Sequence, residues 1–244
     1  MSVLLEVIAT TVADARVAAQ AGADRIELVT ALGEGGLTPS VGLIEAVVAA
    51  VGIPAAGVPA AGVPVNVIVR PHGRSFVYDP DDFTVMLRDV RAVKAAGANG
   101  IVIGMLDANG EIDREGLARA IDAADGLPIT FHRAFDEARD LHKALDVLLG
   151  FDAVTNVLTS GGKSSALHAE AALGALVRQA AGSHCTVLAG AGLTVDAVAG
   201  FVSRTQVEAV HFGSGVRVDS NALAPVDAER VRQVRARLDA ARRS

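Results

Sequence analysis

"VLLEVIATTVADARVAAQAGADRIELV", residues 3–29, reads as strand, helix, strand. The run "VLLEVIA" (3–9) is short and apolar, "TVADARVAAQAGA" (11–23) has helical spacing, and "RIELV" (25–29) is again a strand. Gly22 falls just past the last periodic residue, where a left-handed helix cap suits glycine. The turn between the first strand and its helix separates the two folds that this alternation allows. A dinucleotide-binding open sheet wants a glycine-rich turn there, and "ATTVADA" (9–15) has no glycine.

The same unit recurs outward along the chain. Further strands read at "VNVIVR" (65–70), "GIVIGML" (100–106), "PITFHR" (128–133), "AVTNVLT" (153–159), "TVLAGA" (186–191) and "EAVHFG" (208–213). Between them lie helical patterns such as "DDFTVMLRDVRAVKAAGA" (81–98), closed near Gly97, and "SSALHAEAALGALVRQAAG" (164–182), closed on Gly182. The last helix is "VDAERVRQVRARLDAARRS" (226–244). Eight strands and eight helices predict an α/β fold, a single TIM (β/α)8 barrel, with residues 1–244 as one domain. A doubly wound open sheet is the alternative, and such sheets more often carry fewer strands. "AAGVPAAGVP" (55–64) repeats a pentapeptide whose prolines and glycines stop either element, so it reads as a loop insertion at the N-terminal rim.

Composition narrows the function classes. The chain is 51% hydrophobic but 3% aromatic, so its core is aliphatic, as in helices packed on a parallel sheet. A net charge of -6 offers no basic footprint for nucleic acid. No basic segment precedes the first apolar run, which argues against a signal peptide or a membrane span and for a cytoplasmic protein. Cys185 is the sole cysteine, so there is no internal disulfide.

In a parallel barrel the C-terminal strand ends form the active face. Polar residues gather there: Glu6, Glu27, Arg70, His132, Arg133, Thr159, Ser160 and His211. Alternation puts Asn66, Ile68 and Arg70 on one face, and Thr130 with His132 on another. His132 is a natural acid or base near neutral pH, and either Glu6 or Glu27 could serve if burial raised its pKa. Arg70 and Arg133 suit an anion. "AGAG" (189–192) and "GSG" (213–215), with Gly190, Gly192, Gly213, Ser214 and Gly215, follow strands seven and eight, where this fold frequently binds phosphate. Thr194 reads as the cap of the helix after "AGAG". Two plainer readings stand beside these: a charge network that only neutralises itself, and glycines required only by tight turns. "TSGGKSS" (159–165) lacks the upstream glycine of a nucleotide-binding loop. His132 and His211 with Glu6 or Glu27 could form a mixed N/O metal site, without any local ligand spacing to support it. His72 lies near the same rim.

"LLEV" with Glu6, "GADRIEL" with Arg25 and Glu27, "EGGLTPS" (34–40), "VIVRPHGRSFVY" with Arg70, "TFHRAFD" with His132, Arg133 and Asp136, "VLTSGG", "AGAG" and "VHFGSG" with His211 run in order across the chain. This ordered set resembles the CutC family of copper homeostasis proteins. The resemblance implies a TIM barrel, a cytoplasmic location, a homo-oligomer (a dimer), a link to copper homeostasis and copper ion binding. It also brings Arg25 and Asp136 into the ligand-binding set. The residues argue against direct Cu(I) binding: Cu(I) prefers thiolate or thioether, and the first two strands, "LLEVIAT" and "RIELV", have no cysteine. Two functions remain: a copper-handling scaffold, or a barrel enzyme with an acid/base His and an Arg and Gly-loop anion site for a small phosphorylated or carboxylated metabolite.

Overall fold

The computed structural model describes residues 2–52 and 62–241. Eight parallel strands close into a barrel in chain order: β1 (Leu4–Ala9), β2 (Arg25–Leu28), β3 (Val65–Ile68), β4 (Gly100–Ile103), β5 (Ile129–Phe131), β6 (Val154–Thr159), β7 (Thr186–Ala189) and β8 (Ala209–Phe212). The helices are α1 (Val12–Gln20), α2 (Val41–Val51), α3 (Pro80–Ala95), α4 (Arg114–Ala124), α5 (Leu141–Leu148), α6 (Glu170–Ala180), α7 (Val198–Thr205) and α8 (Ala228–Ala241). The expected barrel is therefore present, closed where β1 pairs with β8. Of the repeated pentapeptides at 55–64, residues 55–61 lie outside the described residues. Residues 62–64 lead into β3 at the N-terminal rim, where the Ile26 N–H donates to the Pro64 carbonyl.

Local chemistry places each helix against the sheet. In α3, Asp79 caps the N-H groups of Asp81 and Asp82, Asp82 returns the bond, and Pro80 occupies the first turn. Its Phe83, Met86, Val90 and Val93 recur every three or four residues and are buried. Gly22, Gly97 and Gly182 all have positive φ, as the cap reading expects. One element starts late: α7 begins at Val198 rather than beside Thr194, although Thr194 Oγ1 accepts from the Ala197 N–H.

Strand alternation divides the core into an outer and an inner part. Leu5, Val7 and Ala9 join Ala15 and Ala18 in the large cluster between sheet and helices. Their alternates point inward, where Ile8, Val29, Ile68 and Val102 form one small apolar group and Leu158, Leu188 and Ala209 another. The inward positions also carry a buried polar layer of Glu6, Arg25, Glu27, Asn66, Thr130, Asn156 and His211. Register sets that layer, since Glu6 stands opposite both Arg25 and His211, and Glu27 opposite Asn66.

Two expected placements are corrected. Glu6 and Glu27 do not end their strands but lie in mid-strand, a level below the rim. Arg70 lies beyond β3 because its N–H leaves the ladder and donates to Thr38 Oγ1 at 2.9 Å. β5 likewise ends at Phe131, one residue before His132, whose N–H still donates to the Ile103 carbonyl.

Candidate active site at the barrel mouth

A cavity of about 440 Å³ opens at the C-terminal mouth. Its apolar wall is Ile8, Val29, Ile68 and Leu158, and its polar wall includes Glu27, Arg70, His132, Arg133 and His211. The volume suits a small metabolite. Gly192, Gly213, Ser214 and Gly215 line it as well.

On the β8, β1 and β2 side the polar groups are chained together. Arg25 Nε donates to Glu6 Oε2 at 2.5 Å, and Arg25 Nη1 to Asn156 Oδ1 at 2.9 Å. His211 Nδ1 sits 2.7 Å from Glu6 Oε1, and its Nε2 3.5 Å from Glu27 Oε2. Glu6 orients the imidazole from below while Glu27 faces it at the cavity. Burial alone would raise the Glu6 pKa, but Arg25 and His211 hold it at about 2. Glu27 has no such partner set. Burial raises it to about 7, with His211 opposing and Glu6 reinforcing. Burial disfavours the His211 charge, yet Glu27 and Glu6 outweigh that and shift its pKa upward. Glu27, raised to about 7, and His211, shifted upward, lie 3.5 Å apart and titrate as a coupled pair.

The β3 and β5 side is cationic. Arg70 is buried, with Nη1 donating to the Glu34 and Gly36 carbonyls at 3.2 and 3.4 Å and its guanidinium 4.6 Å from the Phe76 ring centre. Among the described residues it forms no ion pair, and its Nε has no partner. His132 Nδ1 accepts the Ala134 N–H at 3.1 Å, and Nε2 is buried without a partner. The expectation of acid or base behaviour near neutrality fails for this histidine. Burial, then Arg70 and Arg133, push it down to about 3, so it stays neutral.

The remaining expected residues divide in two. Glu6 and Arg25 lie beneath the cavity rather than in its lining, as a counter-ion pair for the layer. Thr159 and Ser160 have no exposed surface and do not line it. Asp136 explains them: it accepts from Thr159 Oγ1, Ser160 N and Oγ, Gly162 N and Arg133 Nε, stapling the loop after β6 to the loop after β5. Lys163 on that loop is exposed. Gly190 is also outside the lining, and a Cβ there would press on Leu158 and His211. His72 Nε2 pairs with Asp82 at 3.0 Å and stands apart from the cavity.

Sequence reasoning passed over Asn156, Gly104 and Phe76. Asn156 had a signal, a polar residue two positions before inward-facing Leu158 in an apolar strand. Gly104, two positions after Val102, had the same one: any Cβ there would collide with the His132 ring. Phe76 packs on both Arg70 and His132, its ring centre 5.0 Å from the imidazole, and nothing in its loop announced it.

Glu6, Glu27 and His211 bring three donor atoms within 4.8 Å of one another. His132 is not among them, contrary to the expected metal set. Both Glu6 oxygens are already engaged, one by the Arg25 cation and one by His211. An ion there would have to take Glu6 from Arg25 or His211, although Glu27 makes no hydrogen bond among the described residues. Copper fits no better. Cys185 precedes β7, at the opposite rim, and burial pushes its thiol up to about 12, whereas a metal needs the thiolate. Met86 and Met105 lie in the outer core cluster and do not line the cavity.

Barrel and site together define a (β/α)8 protein with a ligand cavity walled by a carboxylate and imidazole pair on one side and an unpaired arginine on the other. Residues 3–216 match the CutC family, and the chain belongs to that family. A CutC family protein of Caulobacter vibrioides (strain NA1000 / CB15N) is 42% identical over 215 residues, spanning 87% of this chain and 82% of the relative. The copper homeostasis protein cutC homolog of Homo sapiens is 42% identical over 193 residues, spanning 78% and 66%. Among solved structures, CutC of Streptococcus agalactiae superposes with TM-score 0.78 at 28% identity, covering 86% of this chain and 97% of that one. TrpF of Jonesia denitrificans gives 0.65 at 17% identity, covering 99% and 98%, a likeness of fold alone. No helix among the described residues is long and apolar enough to cross a membrane.

Proposed function

We propose that the protein is a barrel enzyme that moves a proton on a small anionic metabolite, phosphorylated or carboxylated. The observation that carries this reading is Arg70, a buried guanidinium beside the cavity with no carboxylate partner among the described residues. A buried charge left unpaired costs several kcal/mol, which an anionic ligand would offset. The glycine loops supply the second half of the clamp. The N–H groups of Gly192, Leu193, Ser214 and Gly215 have no acceptor among the described residues, and all four residues line the cavity. Peptide N–H groups at these two loops suit a phosphate or carboxylate.

The acid/base pair is Glu27 with His211, since both face the cavity, 3.5 Å apart, and Glu27 is raised to about 7. Glu6 and Arg25 act through them by fixing the imidazole. A role as a copper-handling scaffold, carried by the names of relatives, draws no support from the donor set described above. The single thiol suits the cytosol, and a homodimer is the assembly the family resemblance implies, to be checked by light scattering.

Titration with inorganic phosphate and with a panel of phosphorylated and carboxylated metabolites tests the anion site by thermal shift. Stabilisation is expected in the wild type and lost in Arg70→Met; a blank panel, or an unchanged shift in the variant, overturns the reading. Competition for Cu(I) against a chromophoric chelator is expected to show no sub-nanomolar binding.

A further inference from the structure

The structure assigns to His132 the part of a neutral electrophile, and to the reaction the class of enolisation: removal of a proton from the carbon beside a carbonyl. This rests on the proposed anion site and proton-transfer pair, and it adds what that pair acts upon. Three observations carry it.

The first is the tautomer. His132 Nδ1 accepts the Ala134 N–H, so Nδ1 has no proton and Nε2 carries it. The second is the orphan donor. That Nε2–H has no acceptor among the described residues, although His132 is 4% exposed and its ring forms part of the cavity wall. A buried N–H without a partner is costly, and a ligand oxygen beside it would remove that cost. The third is the seat built for the ring. Gly104 leaves room for the imidazole on its Nδ1 side, where any Cβ would collide with the ring, and Phe76 flanks it at 5.0 Å between ring centres. The ring is held, not mobile. Arg70 and Arg133 keep it uncharged, so it can donate a hydrogen bond without transferring its proton outright.

Across the mouth stands Glu27, oriented through His211. In the step, the Glu27 carboxylate takes the proton from the carbon next to the carbonyl. The electron pair of that C–H bond becomes the C=C bond, and the carbonyl pair moves to oxygen. The resulting enolate oxygen accepts from His132 Nε2–H. Glu27 then returns the proton to the same carbon, giving exchange. In a hydroxy-carbonyl compound the hydroxyl proton passes to the enolate oxygen, the hydroxyl oxygen's electron pair closes a new C=O, and Glu27 protonates the former carbonyl carbon, giving isomerisation. No oxidant or second substrate is needed. The substrate class is a small carbonyl compound with an acidic adjacent C–H and a terminal phosphate or carboxylate.

The test is proton exchange in D2O, followed by NMR, with aldose and ketose phosphates of three to six carbons and with 2-keto carboxylates. Thermal shift of the same compounds is measured in parallel. Wild-type protein is expected to wash out the C–H signal beside the carbonyl. Glu27→Gln abolishes exchange while leaving the thermal shift, and His132→Leu slows exchange roughly 100-fold. His132→Gln restores part of it, because its amide N–H reaches toward the Nε2 position; a purely structural role for His132 would not give that rescue. Compounds that bind in an Arg70-dependent manner without exchange overturn the enolisation assignment and leave the anion site standing. Exchange that is equally fast in His132→Leu overturns the role of His132. Failure of every compound to bind overturns the anion site and this inference with it.

Discussion

The two histidines of the mouth are buried to the same degree, 4% and 6% exposed, and they behave oppositely. His211 stands between two carboxylates and holds a proton more tightly than free histidine. His132 faces two arginines and gives its proton up until about pH 3. Burial opposes the charge on both rings. What differs is the sign of the neighbours, so partner charge and not depth sets protonation here. One barrel thus places a proton-holding wall opposite a proton-refusing wall, with a ligand-sized space between them.

The largest effect is expected from removing the cation that makes the first wall possible. Arg25→Met leaves Glu6 buried with His211 as its remaining partner, and the Asn156 oxygen unpaired. The loss should be about 3–5 kcal/mol, the range for breaking a buried pair, read from urea unfolding at pH 7. Arg25→Met combined with Glu6→Leu should recover much of it. A single variant that melted within a degree of wild type would show that Glu6 does not need its counter-ion, and the first wall would have to be redrawn.

The fold was legible because its signal is repetitive and local. Eight apolar runs, each followed by helical periodicity, needed no knowledge of distant contacts, and the glycine-free turn at 9–15 separated the barrel from the open sheet. The site was legible only as a gathering of residue types at strand ends. Which member does what depends on pairings between residues far apart in sequence. Glu6 meets Arg25 nineteen positions away and His211 two hundred and five away, and that meeting makes it a counter-ion. Glu27, with the same chemistry, lacks that partner set and becomes the titrating group. Thr159 and Ser160 sat at a strand end too, yet they spend their polarity on Asp136 in the loop after β5. His132 illustrates the limit most clearly: its chemical type suggested acid/base work, and only the surrounding arginines and the Ala134 N–H reveal a neutral donor.

A smaller effect should come from the second wall. Arg70→Met removes two hydrogen bonds to backbone carbonyls but also a buried charge that lacks a carboxylate partner, so stability should change by no more than about 1 kcal/mol in either direction. The more telling readout is the titration of His132 followed by NMR. Without the neighbouring guanidinium its pKa should rise from about 3 toward the ordinary value of 6.5, while burial keeps it below that value. His211, whose environment does not include Arg70, should stay where it is. If both rings moved together, the two walls would be one coupled system and the contrast between them would collapse.

The smallest expected effect is a change of slope, and it sets the two walls directly against each other. Below pH 6.5 the unfolded chain protonates its histidines, but folded His132 does not follow until about 3. The unfolded state then binds more protons there, so this group contributes stability that is present at neutrality and drains away as pH falls through that window. Glu27 has the reverse sign. Its folded pKa of about 7 exceeds the ordinary 4.5, so between those values the folded state holds the extra proton and stability grows as pH falls. The His211 shift acts in the same direction. Glu6 enters only below 4.5, where its folded value of about 2 makes acid destabilising. Between pH 7 and 4.5 the walls therefore oppose one another, and wild-type stability should be nearly flat. His132→Asn removes one contributor, so the variant should gain stability on acidification across this interval, and Glu27→Gln should do the opposite. Urea midpoints at pH 7, 6 and 5 measure both slopes. Parallel curves for wild type and the two variants would mean that neither wall holds the proton inventory assigned to it.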